Sequence, residues 1–366
     1  MTHGDDRVGD GPRVSPDAVA VVARAFRARR GSVAVAVIAV VVVAVISITT
    51  GAAGLNVGGV VTSLIDHLPF IDVDSSLSSR EDAILTQIRL PRLVLGMLVG
   101  GSLSMSGAAY QGVFRNPLAD PYLLGVSAGA GCGAVLAIGF GVDLGWGPIG
   151  AVPAAAFIGA LVAVGAATAV SRGSWSSPAT LLLAGVAMAA LFSAVQTYAL
   201  QRLSASRARE VLSWLFGQLN TSGWAEIGVL APYAGVCAVA LMSQRRHLDV
   251  LRLGDDEARS VGLDPVRVRV RVVAIASLMT AAAVSVSGLI AFVGLVVPHV
   301  VRILVGSSYR IVLPMSALVG AAFLAFVDVG ARTIAAPVEM PVGVITAFVG
   351  APFFAIILWR RHAVNP

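Results

Sequence analysis

Few side chains in this 366-residue chain could do chemistry, and their surroundings narrow what that chemistry is. Gly125-Val126-Ser127-Ala128-Gly129 fits G-x-S-x-G, the string that presents a serine nucleophile at a strand-turn-helix junction. Acyl transfer there would also need a histidine and an acid. His299 is the one histidine within an apolar run, no carboxylate is near it in sequence, and Ser127 sits near the start of an apolar helix. An intramembrane serine hydrolase is therefore a remote alternative, and no catalytic set is assigned. Cys132 and Cys237 fall in apolar stretches, where cysteine serves as a small hydrophobe rather than as a disulfide or metal ligand. No metal ligand set and no cofactor is expected. All 26 basic residues are arginine. A chain without lysine cannot build a G-x-x-x-x-G-K-[ST] phosphate loop or a Schiff base, so it has no ATP site of that kind.

The elements that must position the charged groups are membrane spans. Hydrophobic residues make up 57% of the chain and charged ones 13%, with a mean hydropathy of +0.86; soluble domains carry about a quarter charged. Stretches free of Asp, Glu and Arg cover 31–65, 93–114, 121–142, 144–171, 173–201, 227–244, 272–301, 311–327 and 340–359. A span needs about 20 mostly apolar residues. Dividing 272–301 at Ser287-Gly288 gives about ten spans, an all-α polytopic fold with both termini cytoplasmic. The polar stretch 1–30 reads as a cytoplasmic tail with no cleavable signal, and 31–366 as the membrane domain.

Arginines fix the orientation. With the tail inside, Arg80, Arg89, Arg92, Arg202, Arg207, Arg209 and Arg332 fall outside and the other nineteen inside, as the positive-inside rule requires. The formal charge of +6 thus marks topology rather than a nucleic-acid surface. An ion-coupled transporter working alone would need acidic or histidine relays deep within its spans, and the long runs lack them.

Three segments carry most of the information. In 87–131, Gly96, Gly100, Gly101, Ser102, Ser104, Ser106 and Gly107 put small residues at helical spacing, which lets helices pack closely in lipid. Arg115-Asn116-Pro117-Leu118-Ala119-Asp120-Pro121 then breaks the helix, either as backbone covered at membrane depth or as a cytoplasmic turn. Ser106-Gly107 with Pro117 and Ser287-Gly288 with Pro298 share one spacing, from an inverted repeat or from coincidence in a Gly-rich chain. The second segment, 243–271, is the long internal loop. Its acidic run Asp255-Asp256-Glu257 favours a helix N-terminus, Gly262 can end that helix, and Asp264-Pro265 repeats the start signal. Two short surface helices are expected, with Arg267, Arg269 and Arg271 as snorkelling arginines of a solvated linker. In the third segment Asp328, Arg332 and Glu339 gather at an outer end; Asp328 and Arg332, four apart, form either an internal ion pair or part of a docking surface.

The strings RLPR (89–92), SGAAYQGVFRNPLADPYLLGVSAGAG (106–131), LLLAGVA (181–187), LGDDEARSVGL (253–263), GLIAFVGLVVPHVVR (288–302) and ARTIAAPVEMPVGVITAFVGAPFF (331–354) run through the chain in this order. Together they closely resemble the permease subunit of the ATP-binding-cassette (ABC) importers for cobalamin, haem and iron-siderophore complexes. The resemblance implies a homodimer of ten-span subunits, two cytoplasmic ATPase subunits, an external substrate-binding protein and a bacterial cytoplasmic membrane. An iron-siderophore is the first candidate cargo, with haem and cobalamin as alternatives. Carried over residue by residue, Arg89, Arg92 and Arg332 look like the outer arginines that receive acidic residues of the binding protein. Leu253, Gly254, Asp255, Asp256, Glu257, Ala258, Arg259, Ser260, Val261 and Gly262 look like the coupling segment that seats in the ATPase surface. Ser176, Ser177 and Pro178 occupy the place of the cytoplasmic gate.

Overall fold

The computed structural model describes all residues except 1–15, 52–53, 68–74, 143–149, 172–174, 176, 220–222 and 365–366. Among the described residues the fold is helical throughout, with no strand. The first helices are α1 (Pro16–Thr49), α2 (Val57–Asp66), α3 (Ser79–Ile84) and, after a π-helical turn at Leu85–Arg89, α4 (Leu90–Val113). The middle of the chain forms α5 (Val126–Phe140), α6 (Ala151–Val170), α7 (Pro178–Gln201), α8 (Ala205–Leu215) and α9 (Trp224–Ser243). Two short helices follow, α10 (Arg245–Leu251) and α11 (Asp255–Ser260), before α12 (Pro265–Ser287), α13 (Val293–Val305), α14 (Tyr309–Thr333) and α15 (Val342–Val364).

Seven helical stretches among the described residues are long and apolar enough to cross a membrane: Gly31–Thr49, Ser79–Val113, Ala151–Val170, Ala179–Gln201, Trp224–Ser243, Pro265–Ser287 and Tyr309–Thr333. Val126–Phe140, Val293–Val305 and Val342–Ile357 are apolar but shorter. The apolar stretch 272–301 divides where expected. Gly288, at φ +67°, ends α12, and a Cβ there would stand 2.1 Å from the Trp214 carbonyl oxygen.

At the centre lies α4, of which every residue in 99–113 is buried. A helix apolar on all sides is stable only when neighbours enclose it. Here α14, α12, α13 and α9 do so, and glycines set the distance. An added Cβ at Gly100 would lie 2.3 Å from the Gly320 carbonyl oxygen, and one at Gly107 would lie 1.8 Å from that of Gly294. Backbone therefore meets backbone, which maximises dispersion contact where lipid offers no hydrophobic drive between helices. Gly107→Val cannot be absorbed by a rotamer change. It should destabilise the fold by about 1–3 kcal/mol or more, as overpacking does, read as a lowered midpoint of thermal unfolding in detergent. A side-chain hydrogen bond of 2.6 Å between Tyr110 and Ser277 also ties α4 to α12.

Three expectations change. The Asp264-Pro265 start signal opens the long helix α12 rather than a second short one; Asp264 caps it by accepting from the backbone N–H groups of Val266 and Arg267. The short helices of the loop are instead α10 and α11. The matched Ser-Gly spacings are not structural equivalents, because Gly107 lies inside α4 whereas Gly288 terminates α12. Finally, α1 begins at Pro16, within the stretch read as a tail.

Candidate functional site

Charged side chains gather at the two ends of α4. Its 24 residues at about 1.5 Å each separate Arg92 from Arg115 by most of a bilayer's thickness. At the Arg92 end, helix α14 brings in Asp328 and Arg332, and the segment before α15 brings in Glu339. Arg92 donates from Nε to Asp328 at 3.0 Å and from Nη1 to Glu339 at 2.8 Å. Arg332 reaches the same Asp328 carboxylate at 3.0 Å. Its Nη2 donates to the Ser47 carbonyl and hydroxyl oxygens and its Nη1 to the Thr50 carbonyl. Arg89 donates to the Ile48 carbonyl. Two guanidiniums thus satisfy carbonyls at the C-terminus of α1, where a cation also complements the helix dipole. Arg92 is 8% exposed and Arg89 7%, so these are interior groups in the single subunit rather than the rim charges the sequence suggested. Glu339 is the open member, its side chain 42% exposed.

At the other end, α10 and α11 are held by three ties. Asp249 on α10 accepts from the Tyr309 backbone N–H at 2.6 Å and the Ser308 hydroxyl at 2.9 Å, capping α14. Arg252 donates to the Ser307 carbonyl at 2.5 Å. Asp255, at the first position of α11, accepts from Arg269 Nη2 at 2.6 Å and lies 3.3 Å from Arg115 Nη2. Partial burial alone would raise the Asp255 pKa; the Arg269 hydrogen bond and charge, with Arg115 and Arg259, outweigh it and hold the carboxyl below its ordinary range. The outward side of this segment is open. Asp256 has a side chain 94% exposed, and Leu253 and Val261 are exposed apolar residues flanking the acidic turn.

Arg269 departs from its sequence reading. Arg267 is a surface residue paired with Asp264 and Arg271 is exposed, but the Arg269 side chain is only 2% exposed. Periodicity held the signal for this. Pro265, Val268, Arg269, Val272, Val273 and Ala276 form one buried stripe at helical spacing, and the arginine lies within it. Arg269 Nη1 also donates to the Trp175 carbonyl at 3.1 Å, just ahead of the expected gate. Of that gate, Ser176 lies outside the described residues. Ser177 hydrogen-bonds Thr180 at 2.9 Å, and Pro178 opens α7 at its first position. Ser127 lies in the first turn of α5, after a turn rather than a strand, so the nucleophile setting is missing. Of the arginines expected on the outer side and left without a sequence explanation, Arg207 donates to the Gly139 carbonyl at the end of α5 at 2.9 Å, and Arg202 lies over the Tyr198 ring.

Many long apolar helices packed into one bundle, with charge concentrated at its two ends, define the class as a polytopic membrane protein. The chain belongs to the FecCD transport family, whose model matches residues 39–360. It is 45% identical over 76% of its length to the cobalamin import system permease protein BtuC of Halobacterium salinarum, of which 74% is covered. The Fe(3+)-citrate import system permease protein YfmD of Bacillus subtilis is 38% identical, with 82% of this chain and 88% of that protein covered. For the hemin transport system permease protein HmuU of Yersinia pestis the values are 38%, 76% and 84%. A solved inward-facing structure of a metal-chelate type ABC transporter superposes with a TM-score of 0.77 at 29% identity, covering 89% of this chain and 97% of that one.

Proposed function

We propose that this permease is the translocation subunit of an ABC importer in the cytoplasmic membrane of a bacterium. It works as a homodimer with two cytoplasmic ATPase subunits and an external substrate-binding protein, and it hydrolyses no ATP itself. The membrane domain is 31–366, preceded by the tail 1–30. Counting α5, α13 and α15 with the seven longer spans supports ten crossings; an even number puts both termini on one side, and the arginine bias favours the cytoplasm for them. Leu183, Val186, Leu191, Val195 and Tyr198 of α7 are exposed and suit contact with the second copy around a central pathway.

The observation that carries the reading is α11: a short acidic helix with its outer face open and its inner face anchored by Asp255 to buried charge. A subunit without an ATP site must receive work mechanically. A small element gripped from within and exposed without can transmit it. Cargo is a large metal chelate, an iron-siderophore in the first instance, with haem as an alternative. Cobalamin is favoured as a second reading by the 45% identical cobalamin permease. Mass spectrometry of the ligand held by the binding protein that this permease captures decides among them. Liposomes containing permease, ATPase and loaded binding protein should take up that ligand only with ATP; uptake by this subunit alone on an ion gradient would overturn the proposal.

For docking of the binding protein we propose the Arg89, Arg92, Arg332 cluster. Three guanidiniums against two carboxylates leave this cluster net positive, and Glu339 is its most exposed carboxylate. Glu339→Gln should therefore speed capture several-fold at low salt and steepen its salt dependence, since such charges act on association rate. Charge reversal at the three arginines should slow capture and flatten that dependence. Association rates indifferent to both changes would remove the docking assignment.

A further inference from the structure

The inner attachments of α11 are few. Of its own residues Ala258 is fully buried, and Asp255 is bonded to Arg269 and Arg115; Asp256, Glu257, Arg259 and Ser260 are exposed. Movement imposed on its outer face reaches the bundle through those two points and through the chain itself, which joins α11 to α10 and α12. Ala258 offers non-directional packing. Asp255 offers a short, charge-assisted bond, which is both stronger and geometrically stricter. The far side of that bond is a guanidinium already committed elsewhere, for Arg269 Nη1 holds the Trp175 carbonyl. Trp175 precedes Pro178, the first residue of α7, by three positions. A guanidinium is planar and its donors are fixed relative to one another, so the two acceptors cannot shift independently while both bonds hold. Within the bundle the group is also shielded from water, and its Nε has no acceptor in the structure, so its hydrogen bonds are those to Asp255 and Trp175.

We infer that Arg269 is the positioning residue that relays movement of the coupling helix to the segment before α7, where the cytoplasmic gate is proposed. The inference rests on the importer reading given above and adds to it the path by which α11 and α7 move together. Arg115, from the turn after α4, steadies the shared carboxylate.

The test uses the full permease-ATPase complex in lipid, with spin labels at Thr180→Cys, an exposed position of α7, and measures the label-to-label distance across the dimer with and without ATP. Arg269→Gln should retain ATPase subunits and ATP hydrolysis yet lose the ATP-induced change in distance. Asp255→Asn keeps the side-chain shape and weakens the same bond, so it should reduce the change too. The double variant should be no worse than Arg269→Gln alone, because residues on one path are non-additive. Should Arg269→Gln fail to fold, Asp255→Asn carries the test. A full ATP response in the variants would overturn the relay, as would a loss that only accompanies loss of bound ATPase. A parent complex with no bound ATPase or no ATP response would overturn the importer reading itself, and the relay with it.

Discussion

Alanine at Asp255, Asp256 and Glu257 together is expected to strip ATPase subunits from the permease and abolish ATP-driven uptake. The effect has two parts. Asp256 and Glu257 face outward, so their loss removes the proposed contacts with the partner; where such a residue is a hot spot, its truncation costs about 2 kcal/mol or more, a factor of roughly 30 in affinity. Asp255 faces inward, and its loss leaves Arg269 buried without its carboxylate, which loosens α11 from the bundle. The Asp256→Ala, Glu257→Ala pair alone should therefore weaken co-purification of ATPase without lowering the thermal midpoint, whereas adding Asp255→Ala should lower both. The pH dependence has a definite sign. A carboxyl held below its ordinary pKa contributes stability above the unfolded value, about 3.9 for Asp, and loses it as pH falls through the lower folded value. ATPase retention should thus be insensitive to Asp255 titration from neutral pH down to about 5. Unchanged ATPase binding and transport in the triple variant would sink the coupling assignment.

Reversal at Arg92 should be the most damaging single change at the outer end. Asp328 is 2% exposed and its two cationic partners, Arg92 and Arg332, share it. Arg92→Glu would place a second carboxylate against it and turn the Glu339 contact repulsive. Breaking a buried pair by removing one member costs about 3–5 kcal/mol, because the remaining charge loses its compensation out of water. Folded permease recovered from membranes should fall sharply and the midpoint of thermal unfolding should drop. Arg92→Leu should be milder, since Arg332 still neutralises Asp328 and no like charge is added. A normal melting profile for Arg92→Glu would show that the cluster opens freely to water. Because the arginines proposed for docking also hold α1 and α14 in place, binding-protein capture by any variant has to be compared with its melting profile.

Several features were legible from local sequence. Asp264 and Pro265 start α12, Gly288 ends it, and the acidic run opens α11, because caps, proline and left-handed glycine act over one turn of chain. The small residues of α4 read correctly as packing surface. Arg269 was misread because an arginine flanked by arginines at the edge of an apolar run looks like a snorkelling side chain. Its burial follows from the face of α12 that the neighbouring helices cover. The break in α4–α5 was visible in Arg115 to Pro121, but its use, delivering Arg115 to Asp255, was not.

Composition, span length and the placement of arginine determined that this is a many-span membrane protein without a lysine-dependent ATP site, and motif order along the chain pointed to its family. These signals are short-ranged or statistical, so they survive without any knowledge of partners. Tertiary structure alone decided which charges meet: Arg92 with Asp328, 236 residues apart, and Arg269 with Trp175, 94 apart. Such pairs depend on helices approaching until backbones touch at Gly100, Gly107, Gly294 and Gly320, and no local pattern encodes which distant helix arrives. The arginines at the two faces are therefore one signal in the sequence and two different devices in the fold.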